Sequence, residues 1–299
     1  MSTFWVIFTG ALVASSCGLV GCFLVLRKMA MIGDAISHSV LPGIVIAFLI
    51  SGSRDSFIML LGAAVIGLIA VFLIQLFSQS GVQSDASIGV VFTALFAVGI
   101  VLISLYTRDI DLDLDCVLYG EIAYVPWNTI EFMGMDIGPK AVWGVGLSLL
   151  LSVIVISLFY KQFKICSFDP AMAAAVGIPV ALFHYLLMGL VSLTTVASFE
   201  SVGAILVVGM LVVPPATAYL LTEKLSRMIV YTIMIGCLSS IIGYYVASIL
   251  DASIAGSMIS VAGGLFVLAL LFSPSHGVVM RKLKQKRLIS DKNKLESVI

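Results

Sequence analysis

Charge is what this sequence has least of. Asp, Glu, Lys and Arg make up 11% of its 299 residues, against about 25% in a soluble domain. That scarcity excludes an ordinary soluble enzyme, a disordered chain and a nucleic-acid binder, all of which need more polar surface. Reaction signatures are missing too. No GxxxxGK[ST] occurs and no Lys is followed by Ser or Thr, so the chain has no P-loop for ATP hydrolysis. HExxH and GxSxG are absent, which removes the usual residues of intramembrane proteolysis and esterase chemistry. The 5 cysteines (Cys17, Cys22, Cys116, Cys166 and Cys237) show no CxxC spacing, and an odd number is no disulfide framework. They read as small packing residues.

Apolar residues are present in abundance. Hydrophobic types reach 61% and mean hydropathy is +1.19, which leaves an all-α polytopic membrane helical bundle as the fold class. A bilayer core takes about 20 apolar residues per helix. Nine runs qualify: 4–26, 34–50, 57–77, 86–106, 141–160, 181–198, 203–222, 228–250 and 255–272, or eight spans if one run is re-entrant. The first run lacks a basic flank ahead of it and ends at Arg27-Lys28, so it reads as a span and not as a cleavable signal. Cytoplasmic loops collect Lys and Arg. With the N-terminus outside, Arg27, Lys28, Lys161, Lys164, Lys224, Arg227 and seven basic residues of the tail fall inside, and Arg54, Arg108 and Lys140 fall outside. Residues 1–280 are then the membrane domain and 281–299 a basic cytoplasmic tail.

Two connections are longer than turns. Residues 107–140, outside, carry Asp109, Asp111, Asp113, Asp115, Glu121, Glu131 and Asp136. They make an acidic mouth able to concentrate cations. The run Asp109 to Asp115 is no EF-hand, because Leu114 stands where Gly is needed and Gly120 where Glu is needed. Residues 161–180, inside, place Asp169 as a cap, Pro170 at the first helical position, Ala171 and Ala173 to Ala175 as helix formers, and Gly177 and Pro179 as stops. A helix near 170–176 is too short to cross a bilayer and is available for docking.

Within the spans, Gly33-Asp34-Ala35-Ile36-Ser37-His38-Ser39-Val40-Leu41-Pro42-Gly43 stands out. Asp34 and His38, four apart, put a carboxylate and an imidazole on one helix face within reach of one ion. The plainer alternative is that Asp34 caps a helix beginning near Ala35 while His38 bonds a neighbouring carbonyl. The pair suits manganese, iron(II) or zinc, and two ligands make an incomplete site. Glu200, between two spans, reads as an interfacial carboxylate, with a gate or accessory cation ligand as the functional alternative. Asp113 is a second accessory candidate. His184 reads as a packed, hydrogen-bonded helix residue. Pro214-Pro215 inside the span 203–222 reads as packing, with a hinge as the alternative.

Together, several segments resemble the membrane permease of the ABC-3 family. They are Arg27 to Gly43, Asp85-Ala86-Ser87-Ile88-Gly89, Leu118-Tyr119-Gly120-Glu121-Ile122, the Phe168-to-Pro179 loop and Gly203 to Ala218, in the family's order over nearly the whole chain. The resemblance implies a bacterial cytoplasmic-membrane importer of manganese, zinc or iron, closest to the manganese and iron branch. In it two permeases, identical or paralogous, form the pathway. Two cytoplasmic ATPases bind beneath, and an external metal-binding lipoprotein delivers the ion. It also implies that Asp34 and His38 coordinate the metal, that residues Asp169, Pro170, Ala175, Gly177 and Pro179 belong to the segment that docks on the ATPase, and that no cofactor is permanently bound. The rivals are an ion-gradient-driven secondary transporter or channel, a membrane enzyme using Asp34 and His38 as acid and base, and a purely structural subunit.

Overall fold

A computed structural model of the chain describes residues 2–52, 56–106, 122–132 and 135–273. Twelve helices run through these residues: α1 (Ser2–Leu26), α2 (Met31–Ser39), α3 (Leu41–Ser51), α4 (Ser56–Gln79), α5 (Ser84–Tyr106), α6 (Lys140–Leu158), α7 (Tyr160–Phe168), α8 (Pro170–Ala175), α9 (Val180–Val202), α10 (Ala204–Leu221), α11 (Leu225–Leu250) and α12 (Ile254–Phe272). Nine stretches among the described residues are long and apolar enough to cross a bilayer. They coincide with the nine expected runs to within a few residues. The second, Met31–Ser51, consists of α2 and α3 end to end. Pro42 carries no amide proton, so the His38 carbonyl loses its regular helical partner at the junction.

α1 is the axis of the bundle. It packs against α6, α9, α10 and α11, and 72% of its apolar window is buried against 17% for α5. Its sequence explains this position: it holds no charge, and Gly10, Ala14, Ser16, Cys17, Gly18, Gly21 and Cys22 let neighbouring backbones come close. A Cβ at Gly21 would run into the Leu211 carbonyl and the Pro215 ring of α10. That carbonyl is the one left without a donor because Pro215 has no N–H. The two prolines are buried inside a continuous α10, so their place in the fold is packing. Hydroxyls and thiols join helices across the core: Ser16 with Ser148 (3.3 Å), Ser152 with Thr194 (3.4 Å) and Cys22 with Thr232 (3.2 Å). Cys17 and Cys22 are fully buried. Outward faces carry apolar side chains such as Leu61, Val65, Leu68, Phe72 and Leu76 of α4, as a lipid-facing surface requires.

One end of the bundle gathers the chain after α1 together with α7 and α8; the other gathers the start of α1 and the segment before α6. At that second end Gly138 lies against the Trp5 ring and Thr3 shares a 2.9 Å hydrogen bond with Tyr244. The segment holds a 3-10 turn, Ile122–Trp127, and an antiparallel hairpin of β1 (Thr129–Phe132) and β2 (Met135–Pro139), paired Thr129 to Pro139. Among the described residues the hairpin is an addition to a helical bundle. Near the first end α1 closes with Lys28 in the left-handed region (φ 57°). The Lys28 amide donates to the Val25 carbonyl (3.1 Å) and the Met29 amide to the Leu24 carbonyl (2.9 Å). This is a Schellman cap, and Arg27-Lys28 sits where the helix dipole favours cations.

Replacing Gly21 by Leu is expected to push α10 off α1 and cost about 1–3 kcal/mol. Thermal unfolding of the detergent-purified variant checks this; an unchanged midpoint would contradict the close approach.

Candidate functional site

α2 begins at Met31, so Asp34 lies inside its first turn and not at its cap; Ala30 occupies the cap position without a side-chain bond. The carboxylate therefore faces the positive end of the helix dipole, a favourable place for negative charge. One turn on, His38 Nε2 stands 3.5 Å from Asp34 Oδ1. Side-chain exposure is 31% for His38 and 41% for Asp34. Both are half-open on one face, neither sealed in the core nor fully turned away from it. The imidazole is held from the side by Phe92 and Phe96 of α5, with ring centroids 6.0 and 5.8 Å away. Ser37 and Ser39 are buried and donate backwards to the Gly33 and Ile36 carbonyls (3.0 and 3.2 Å), which keeps their hydroxyls occupied.

Chemically, this face offers one anionic oxygen donor and one nitrogen donor. A divalent transition metal takes about four to six ligands. Among the described residues no group of three or more His, Cys, Asp or Glu side chains comes together, so the face is half of a site at most. Asp113 lies outside the described residues. Glu200 falls in the last turn of α9, and its side chain lies outside the described set.

The segment 161–180 is more ordered than a loop. α6 gives way at Phe159 (φ −110°) to α7, and Asp169 ends α7 and starts α8. Asp169 Oδ1 accepts the Met172 amide at 2.9 Å, with Pro170 following as the first helical residue. Gly177, at φ +85°, closes α8. Its amide donates to Ala174 and that of Ile178 to Ala173, both at 3.0 Å, a second Schellman cap. Apart from Ala173, every residue of α8 is exposed. Phe168 at the end of α7, Met172 in α8 and Val176 just after it are large apolar side chains 55%, 59% and 67% exposed outside the spans. The sequence reading picked out the helix and missed these exposed apolar side chains. His184 is half-buried, with Nδ1 3.4 Å from Arg27 Nη1. Burial pushes the Cys166 thiol up and the Arg27 guanidinium down from their ordinary values.

Comparison with known proteins places these features. The sequence profile of the ABC 3 transport family matches residues 2–273. A manganese transport system membrane protein, MntD of Bacillus subtilis (strain 168), is 57% identical over 94% of this chain and 95% of its own length. A zinc transport system membrane protein, TroD of Treponema pallidum (strain Nichols), is 41% identical over 97% of this chain and 79% of its own. The solved structure of PsaBC from Streptococcus pneumoniae in complex with Fab superposes with a TM-score of 0.77 at 33% identity, covering 94% of each chain.

Removing the cap of α8 by Asp169→Ala is expected to loosen it by about 1 kcal/mol, so that the Met172 amide exchanges hydrogen roughly fivefold faster. Exchange at the wild-type rate would contradict the capping role.

Proposed function

The chain belongs to the ABC 3 transport family as the membrane permease of a divalent transition-metal import system, and we propose that manganese is its principal cargo, ahead of zinc and iron. Its greater identity to a manganese system than to a zinc system supports that order. The cargo would cross a bacterial cytoplasmic membrane, with the N-terminus outside and the C-terminus inside. The gathering of Arg27, Lys28, Lys161 and Lys164 near one end of the bundle favours this orientation.

The observation that carries the proposal is the Asp34–His38 pair. A carboxylate in a span costs roughly 2.5–3.5 kcal/mol on insertion scales and is retained where it meets a cavity, a partner or an ion. Asp34 Oδ1 and His38 Nε2 would replace part of the hydration shell of the passing Mn2+. A second permease, presenting the same pair, would supply the remaining protein ligands. Because the face is half-open and each chain gives two donors, binding stays weak enough for release. Asp113 and Glu200 remain accessory candidates for the acidic path to this site, and an external metal-binding lipoprotein would deliver the ion.

Energy would come from a separate pair of cytoplasmic ATPases, since this sequence holds no P-loop. α8, with Asp169, Pro170, Ala175, Gly177 and Pro179 in its segment, would dock in a groove of the ATPase with its exposed apolar Met172 and the neighbouring Val176. Association of the ATPases on ATP would rock the spans between outward- and inward-open states.

The test is radioactive Mn2+ uptake into proteoliposomes holding the permease and its ATPase, with the metal-loaded lipoprotein supplied on the outer face. Wild type is expected to accumulate Mn2+ only with ATP, and Asp34→Ala and His38→Ala to fall below about a tenth of wild type at equal protein level. Uptake without ATP would favour a gradient-driven carrier. Full uptake by both variants would remove the pair from the mechanism.

A further inference from the structure

Arg27 is an unusual residue for its place. It follows the last residue of α1, and the Schellman cap fixes its backbone. Its side chain turns inward and not to solvent: it is half-buried, and Nη2 is buried with no hydrogen-bond partner among the described residues. No carboxylate pairs with it among those residues either; the ion pair found there is Asp34 with His38. A guanidinium that needed only a cytoplasmic location would extend into water.

What Arg27 does touch is specific. Nε donates to Ser167 Oγ of α7 at 3.1 Å. Nη1 lies 3.4 Å from His184 Nδ1 of α9. A guanidinium only donates, so Nδ1 is the acceptor and the imidazole carries its proton on Nε2. Three elements thus meet at one side chain, with Arg27 140 residues from Ser167 and 157 from His184. Close by, the same three elements meet again. Phe23 of α1, Phe163 of α7 and Phe183 of α9 are buried, with Phe163 centroids 5.7 Å from Phe23 and 5.4 Å from Phe183. Phe159, at the α6–α7 junction, adds a further contact to Phe183 at 5.7 Å. An aromatic layer and a polar layer therefore tie α7 to α1 and α9.

The position of α7 gives this junction a consequence. α8 follows α7 after the single residue Asp169, and α9 packs against α2, which carries Asp34 and His38. We propose that Arg27 is a positioning residue for transport: with Ser167 and His184 it locks α7 to α1 and α9, so that a push on α8 moves those spans as one body. Without the lock, α7 and α8 would swing about the Phe159 break and the push would be absorbed there. The idea rests on the permease reading above, in which α8 receives the motion of the ATPase.

The test measures Mn2+ transported per ATP hydrolysed by the full complex in proteoliposomes, for wild type and the variants Arg27→Gln, Arg27→Lys and Ser167→Ala. Arg27→Gln is expected to assemble with the ATPase and hydrolyse ATP near the wild-type rate, with the transport ratio down roughly tenfold. Arg27→Lys keeps the charge without the planar fork and is expected to restore little. Ser167→Ala removes one acceptor with almost no change of volume and is expected to lower the ratio roughly threefold. It decides the matter if Arg27→Gln does not assemble. A wild-type ratio in Ser167→Ala, or hydrolysis and uptake falling together in Arg27→Gln, would overturn the proposal. Failure of the permease reading is distinct: it appears in the wild-type complex itself, as uptake that does not need ATP.

Discussion

A carboxylate and an imidazole inside an apolar span constrain everything around them. Hydrocarbon offers neither hydration nor counter-charge, so Asp34 has to be held by local geometry and by a face that opens to something other than lipid. The fold meets the first need with the helix dipole of α2 and the neighbouring His38. Both side chains are half-open on a face flanked by α5, and in the proposed reading that face meets the ion path. On the proposed reading, two donors that are each an incomplete site would suit a transporter better than a store: a closed set of protein ligands would hold the ion, whereas a shared and partly hydrated set could pass it on.

Around that pair the bundle divides its work between a dense centre and an oily rim. α1 is built from small residues and lies among α6, α9, α10 and α11. Its close approach to α10 at Gly21 uses a carbonyl freed by Pro215. Short hydroxyl and thiol contacts replace the hydrophobic effect, which has no force between helices already in lipid.

Much of this was legible in the chain. The spans are long and predominantly apolar, and a lone stretch of backbone in hydrocarbon satisfies itself as helix, so nine runs became nine membrane-length stretches. α8 was legible because its ends are written in local chemistry: Asp169 before Pro170, and Gly177 where φ must be positive. The pairing of Asp34 with His38 follows from a spacing of four. Asp34 as a cap was the one local alternative, and it fails because α2 starts three residues earlier. What stayed hidden depends on distant contacts. Arg27 meets Ser167 and His184 across more than a hundred residues, and nothing local marks Arg27 as inward-facing. The hairpin of β1 and β2 was hidden for another reason: Glu131 and Asp136 read as part of an acidic loop, and their strands are only a few residues long.

The central claim, that Asp34 and His38 together touch the passing ion, is tested most directly by pulsed electron paramagnetic resonance of Mn2+ bound to the permease complex in lipid nanodiscs. The account predicts a nitrogen hyperfine coupling from a directly bound imidazole that disappears in His38→Gln. A spectrum with water and carboxylate couplings alone in the wild-type complex would contradict it.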